Sequence, residues 1–175
     1  MTRTVKMSDS DIGRIVAESE RRRSHTKSSG AMDHTSNGSK SASEMGVVGE
    51  WCVSIVTGYK PLGFRYDGKG KERDVGPIQV RSTERSVLYF KDFEDPNDPI
   101  VAVKIIDRHT AKVIGWRFGF ECMKEEYQRF PKSLENMRPG QKCWWEVPHE
   151  SLYSLQSLEN WCVSHGYKRW PKQSS

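Results

Sequence analysis

What this chain lacks narrows its reading first. No run approaches the ~20 apolar residues that a membrane span requires, and hydrophobic residues make up only 35% of the sequence. The polar excess behind a mean hydropathy of −0.76 lies largely in about the first forty residues. No apolar run follows the basic N-terminus, so no secretory leader is expected and a cytoplasmic setting is. Cysteines are few and far apart, at Cys52, Cys122, Cys143 and Cys162. That spacing excludes short-spaced metal pairs and points to free thiols in a reducing compartment. Cys143 with His149 and Cys162 with His165 come nearest to a Cys/His set. Cys162, however, falls on the apolar face of an expected helix, and both cysteines are read as packing residues. There is no internal repeat and no long block of lysine and arginine. A net charge of +5 and a pI of about 9.0 therefore favour a folded face for a polyanion over a basic arm. At 175 residues the chain suits one domain with a tail.

What is present alternates in type. Ile12, Ile15, Val16 and Ser19, opened by Ser8 or Ser10, predict a short amphipathic helix to about Thr26, followed by Arg21, Arg22 and Arg23, which cannot all share one face, so some are open to phosphate and others to solvent. Residues 27–43 lack periodicity and are expected to form a flexible linker. Residues 1–42 thus read as a flexible, partly helical extension and 43–170 as the folded domain. Ser43 caps an expected helix whose Val48, Trp51, Cys52 and Ile55 face the core, with Glu50 on its margin. Gly46 and Gly49 leave one surface of that helix bare for a close neighbour. Strands are expected at 62–66, 79–81, 86–91, 100–106, 112–120 and 143–148, and a leucine-rich helix at 150–164. Between them lies the acidic loop 92–99, with Asp92 the best placed to reach a site.

The segment Asp74-Val-Gly-Pro-Ile-Gln79-Val80-Arg81 concentrates the polar chemistry. Side chains alternate along a strand, so Gln79 and Arg81 share one face while Ile78 and Val80 share the other. A bend at Gly76-Pro77 would return Asp74 beside them. A carboxylate, a carboxamide oxygen and a guanidinium on one patch suit a hard divalent cation and a phosphate.

The order Gly46-x-x-Gly49-Glu50 on a helix, then Asp74-Val-Gly76, then Gln79-x-Arg81 on a strand, resembles the PD-(D/E)XK nuclease superfamily. With Gly115-Trp116 and Val147-Pro148 before the leucine-rich helix, it is similar more narrowly to small phage and prophage proteins of that type. The resemblance covers 43 to about 160. It implies an α/β (α+β) fold with a restriction-endonuclease-like central mixed sheet flanked by helices. It also implies Mg²⁺- or Mn²⁺-dependent hydrolysis of DNA phosphodiesters, with Glu50, Asp74, the Gln79 side chain and the Val80 carbonyl holding the metal and Arg81 the scissile phosphate. Arg21, Arg22, Arg23, Lys69, Lys71, Arg73 and Arg85 are the candidates for contacts to the DNA backbone, which would make binding salt-sensitive.

Two departures from the family pattern carry chemical consequences. Gln79 stands where an acid is usual, so it can ligate without adding charge. Arg81 stands where lysine is usual and stays protonated, so it cannot serve as a general base. Between Thr83 and Ile100 there is little room for the helix that normally joins two core strands, which implies a trimmed variant of the fold. The rival readings are a catalytically inactive nuclease-fold module that binds DNA or protein, and a phage accessory or structural protein. A homodimer, or a protein partner of host or phage origin, is compatible with each of them.

Overall fold

The computed structural model describes residues 2–28, 39–59, 73–92, 94–131 and 143–167. The expected strand at 62–66 and the residues Lys69 and Lys71 lie outside them. The linker 27–43 lies mostly outside as well, its ends falling in the first two helices. Within the described residues the chain is a mixed α/β structure. Its elements are β1 (Arg3–Lys6), α1 (Asp9–Ser28), α2 (Ser39–Thr57), β2 (Gln79–Thr83), β3 (Val87–Lys91), β4 (Pro99–Asp107), β5 (Thr110–Phe118), α3 (Gly119–Cys122), β6 (Gln128–Arg129), β7 (Trp144–Pro148) and α4 (Leu155–Ser164). No helix among these residues is long and apolar enough to cross a membrane.

Two sheets form instead of the one central sheet that was expected. The first has the order β1-β5-β4-β2, with β4 parallel to β2 and the other pairs antiparallel. The second is antiparallel, β3-β7-β6. A parallel pair needs a crossover, and here β3 lies on that path. The missing helix between Thr83 and Ile100 is thus replaced by a strand that leaves for the second sheet.

Alternation along the strands sorts the core into two layers. Val80, Val101, Val103 and Trp116 pack with α1, α2 and α4. Their neighbours Ile100 and Ala102 face Leu88, Phe90, Trp145 and Val147 of the second sheet. The β4 strand is buried on both faces, which is why its sequence is almost continuously apolar.

The N-terminal boundary at residue 43 needs correcting. Strand β1 pairs with β5, and Val5, Met7, Ile12 and Ile15 lie in the same core as Val101 and Val113. The first helix opens on a reciprocal cap, with the Asp11 amide donating to Ser8 Oγ and the Ser8 amide to the Asp11 carboxylate. Residues 3–28 are therefore part of the folded body, and the strand that ties them in is four residues long with one buried side chain, Val5.

The second helix is rotated by about one residue from its expected orientation. Ile55, expected inside, is 54% exposed, while Val53 is fully buried. The cause is Gly49: a Cβ there would stand 1.8 Å from Ser82 Oγ and 3.1 Å from Val80 Cγ1. Strand β2 presses into the bare glycine surface, and the rotation that allows this carries Glu50 from the margin to the interior. Gly46 meets nothing within 4 Å, so of the two glycines only Gly49 makes the close contact.

Gly115 is less forgiving, since a Cβ would lie 2.5 Å from the Tyr153 carbonyl oxygen, a backbone atom, and 2.9 Å from Leu152 Cβ. A backbone atom cannot rotate away. Gly115→Ala is expected to destabilise the protein by roughly 1–3 kcal/mol or more. Gly46→Ala, with open space and better helix propensity, is expected to stabilise it by up to about 1 kcal/mol. Thermal unfolding of the two variants checks the pair.

Candidate functional site

The site lies at the outer edge of β2, the last strand of the first sheet. Here the chain makes the turn that Gly76 and Pro77 lead one to expect. Val75 and Ile78 bridge each other, the Asp74 amide donates to the Ile78 carbonyl at 3.0 Å, and Gly76 adopts φ +55°. This returns Asp74 to the strand, where its Oδ2 accepts the Val80 amide at 2.7 Å. An N–H that would otherwise be open on a sheet edge is thereby satisfied.

From the helix side, Glu50 on α2 reaches the same edge, with only 6% of its surface exposed. Its two carboxylate oxygens take a bidentate pair from Arg22 on α1, at 2.7 and 2.6 Å. Arg22 also donates to Glu18 at 2.8 Å, and Arg21 grips the same Glu18 through two nitrogens. Helical spacing creates this cluster: Glu18, Arg21 and Arg22 stand at i, i+3 and i+4.

On the other side of β2, Arg81 pairs with Glu94, donates to the Val80 carbonyl at 2.8 Å, and lies 3.7 Å from Asp74 Oδ2. A chain of alternating charge, Glu18, Arg22, Glu50, Asp74, Arg81, Glu94, therefore wraps the strand edge. The alternation breaks at the step between Glu50 and Asp74, like charges near enough for Asp74 to bear on Glu50.

The electrostatics follow from that step. Burial pushes the Glu50 carboxyl above its ordinary range; the bonds from Arg22 pull it down and the Asp74 charge pushes it further up. Burial likewise raises Asp74, against the lowering effect of Arg81 and the Val80 amide. Glu18 behaves oppositely. Desolvation raises it, but the hydrogen bonds from Arg21 and Arg22 outweigh that, and it lies below its usual value.

The expected residues divide accordingly. Glu50, Asp74 and Arg81 are gathered at one edge. Gln79 is on the Arg81 face as expected, but its amide donates to Asp98 at 3.4 Å, next to the Arg73–Asp98 pair at 2.8 Å. The Val80 carbonyl is taken by Arg81. Gln79 is thus engaged away from Glu50, which approaches β2 from the opposite face, and the Val80 carbonyl, although beside Asp74, is occupied by the guanidinium. Asp92 is not at the site either: its carboxylate accepts from the Cys143 amide at 3.4 Å, and Glu94 occupies the position by Arg81. Among the described residues, no group of three or more His, Cys, Asp or Glu could hold a metal ion by itself.

Of the basic residues expected on DNA, Arg22 is internal to the charge chain, its side chain 19% exposed. Arg21 pairs with Glu18, Arg73 with Asp98 and Arg85 with Glu146, while Arg23 donates to the Ser19 carbonyl. Arg85, 62% exposed, and Arg21 and Arg73 remain reachable from solvent. All four cysteines are buried thiols. Burial pushes Cys52 and Cys122 up to about 12, which leaves them as protonated packing residues at neutral pH.

Sequence reasoning missed Glu18 and Glu94 as members of the site. The i, i+4 spacing of Glu18 and Arg22 was a usable signal; the 28-residue separation of Arg22 and Glu50 was not. No protein-family model matches the chain, and no curated protein or solved structure does either.

Proposed function

We propose that the chain hydrolyses DNA phosphodiesters with Mg²⁺ or Mn²⁺, on a trimmed nuclease-like scaffold of the PD-(D/E)XK type. The observation that carries this reading is the pair Glu50, buried, and Asp74, half-buried, two carboxylates at the edge of one strand, each raised in pKa by burial, with the Asp74 charge raising Glu50 further. Magnesium is commonly held by one or two carboxylates together with waters and substrate phosphate oxygens. Two hard oxygen donors fit that requirement without Gln79 or the Val80 carbonyl, once a cation displaces the Arg22 fork from the two Glu50 oxygens.

Such a metal, when bound, lowers the pKa of a coordinated water and neutralises charge on the phosphate. The protein's own groups do the rest. Glu50 and Asp74 would hold the cation. The Val80 amide fixes the Asp74 carboxylate through one oxygen, so its rotamer is set before anything binds. Arg81, 28% exposed, offers a permanent positive charge to a phosphate oxygen and takes no part in proton transfer.

Supercoiled, linear, branched and single-stranded DNA incubated with each metal, and with EDTA, tests the reading; intact DNA in every case would sink it. The pH dependence gives a second check. Protons compete with the metal for two carboxyls whose values are raised, so at fixed Mg²⁺ the cleavage rate should fall on acidification while ordinary carboxylates are still ionised.

A second reading is favoured by one specific observation. Arg22 already supplies Glu50 with a bidentate cation, as it would in a module that binds DNA and has given up catalysis. Binding that survives EDTA, with no cleavage under any metal, selects it.

A further inference from the structure

The C-terminal end of β5 carries a feature that the carboxylate site does not use. Tyr167 stacks near Trp161, with ring centroids 5.8 Å apart and planes at 27°. Trp161 meets the edge of Phe118 at 5.5 Å, and Phe118 stacks on Phe120 at 5.4 Å with planes at 13°. Core packing accounts for the inner rings, since Trp161, Phe118 and Tyr167 are partly buried against the main hydrophobic cluster. It does not account for Phe120. That ring lies parallel on Phe118 with 56% of its surface exposed, so a flat aromatic face is held rigidly in solvent.

The row is tied at two places to the turn that carries Asp74. Tyr59 packs on Gly76, its ring carbon standing 3.0 Å from where a Cβ would be, and its hydroxyl donates to the Tyr167 carbonyl at 3.3 Å. Arg73, beside Asp74, binds Asp98, whose carbonyl accepts the amide of Gly119, the residue between Phe118 and Phe120. Of the acids around the row, Asp98 is engaged by Arg73 and Gln79, Glu121 by the Tyr153 hydroxyl at 2.6 Å and the Phe118 amide at 3.1 Å, and the exposed Asp95 by the backbone and side-chain amides of Asn97. Nearby, the buried Arg117 guanidinium lies 5.3 Å from the Tyr153 ring, and its Nε and Nη1 have no hydrogen-bond partner among the described residues.

Rigid aromatic faces beside cationic groups are how proteins bind unpaired bases, because every base has a π face and its phosphate a negative charge. We propose that this row is a stacking platform for the bases of single-stranded nucleic acid, leading the strand to the Glu50–Asp74 edge. The inference rests on the nuclease reading for what happens at that edge, but base binding itself does not require cleavage. The net charge of +5 and the tie to Arg73 select a nucleic acid over an apolar protein partner.

The test is fluorescence anisotropy of the full chain in EDTA, with a labelled single-stranded oligonucleotide and a duplex of the same length. Single-stranded DNA should bind more tightly than duplex. Phe120→Ala should weaken single-strand binding by roughly tenfold and leave duplex binding unchanged. Phe120→Leu, which keeps apolar area but loses the π face, should behave like Phe120→Ala, whereas Phe120→Trp should retain affinity. Phe120 is exposed, so thermal melts of these variants should match the parent. Unchanged single-strand affinity in Phe120→Ala, full affinity in Phe120→Leu, equal binding of duplex, or no binding of either nucleic acid would each overturn the proposal. So would self-association abolished by Phe120→Ala in a protein that binds no oligonucleotide, since the face would then belong to a second copy. Single-strand binding without metal-dependent cleavage would uphold the platform and remove the nuclease reading; cleavage with no effect at Phe120 would do the reverse.

Discussion

Arg22→Met is expected to cost about 3–5 kcal/mol of stability at neutral pH, which for a chain of this size lowers Tm by roughly 10 °C. The reason is the environment of Glu50, whose two oxygens take both bonds of the Arg22 fork and whose surface is 6% exposed. Removing the guanidinium leaves a buried carboxylate beside Asp74 without that partner. Glu18 suffers less, since Arg21 holds it through two nitrogens. The sign of the pH dependence follows. Glu50 has a folded-state value above its unfolded one, so its contribution to stability is greatest below the unfolded value and is lost as pH rises through the folded value. In Arg22→Met that value rises further, and the deficit should shrink as pH falls through it. The double variant Arg22→Met with Glu50→Leu should recover most of the loss, because a buried ion pair is costly to break but not to replace with apolar groups. Urea titrations of the parent, the single variants and the double variant close the cycle. The same variant probes the cation site: with the guanidinium gone, millimolar Mg²⁺ should stabilise Arg22→Met more than the parent, as a ligand that binds only the folded state must.

Residues near one another in sequence were legible, and those brought together by tertiary packing were not. The β4–β5 hairpin could be read because a buried strand is continuously apolar and the Asp107 turn closes locally, its carboxylate accepting the His109 amide. The Asp74 turn was legible for the same reason: glycine and proline specify the bend, and the carboxylate it returns lies only six residues from the amide it accepts. The α4 stripe of Leu155, Leu158 and Cys162 followed from helical spacing, although the helix begins at Leu155, after the Ser154 cap, and not at Glu150. The division of the strands into two sheets left no such mark. Each of β3 and β7 alternates as a half-buried strand would in either sheet, so pattern alone cannot say which partner it takes. The orientation of α2 turned on a contact between Gly49 and Ser82, and a one-residue rotation was enough to exchange Ile55 for Val53 and to bury Glu50. The partner of Glu50 depended in turn on α1 packing beside it. The candidate site was therefore legible as a set of residue types on β2 and α2, while its charge balance was set by a helix that read as an extension.

Asp74→Asn is expected to abolish metal-dependent cleavage, by about a hundredfold or more, while leaving the fold intact. Asparagine is nearly isosteric with aspartate, and its Oδ1 can still accept the Val80 amide that Asp74 takes at 2.7 Å. Arg81 loses its longer partner, at 3.7 Å, but keeps Glu94 and the Val80 carbonyl. Burial has raised the Asp74 value above that of the unfolded chain, so at neutral pH its charge opposes folding. Neutralising it should leave Tm unchanged or slightly higher. Glu50→Gln should also remove cleavage, yet it cannot separate chemistry from stability, because it takes one charge from the bidentate pair with Arg22. Asp74→Asn is the discriminating variant for that reason: cleavage measured beside a thermal melt distinguishes loss of a ligand from loss of the fold. Undiminished cleavage by a folded Asp74→Asn protein would remove Asp74 from the metal site, and with it the pair on which the nuclease reading depends. A large drop in Tm would instead mean that the Asp74 charge is needed to hold Arg81 against the strand, and that the edge of β2 is a structural clamp.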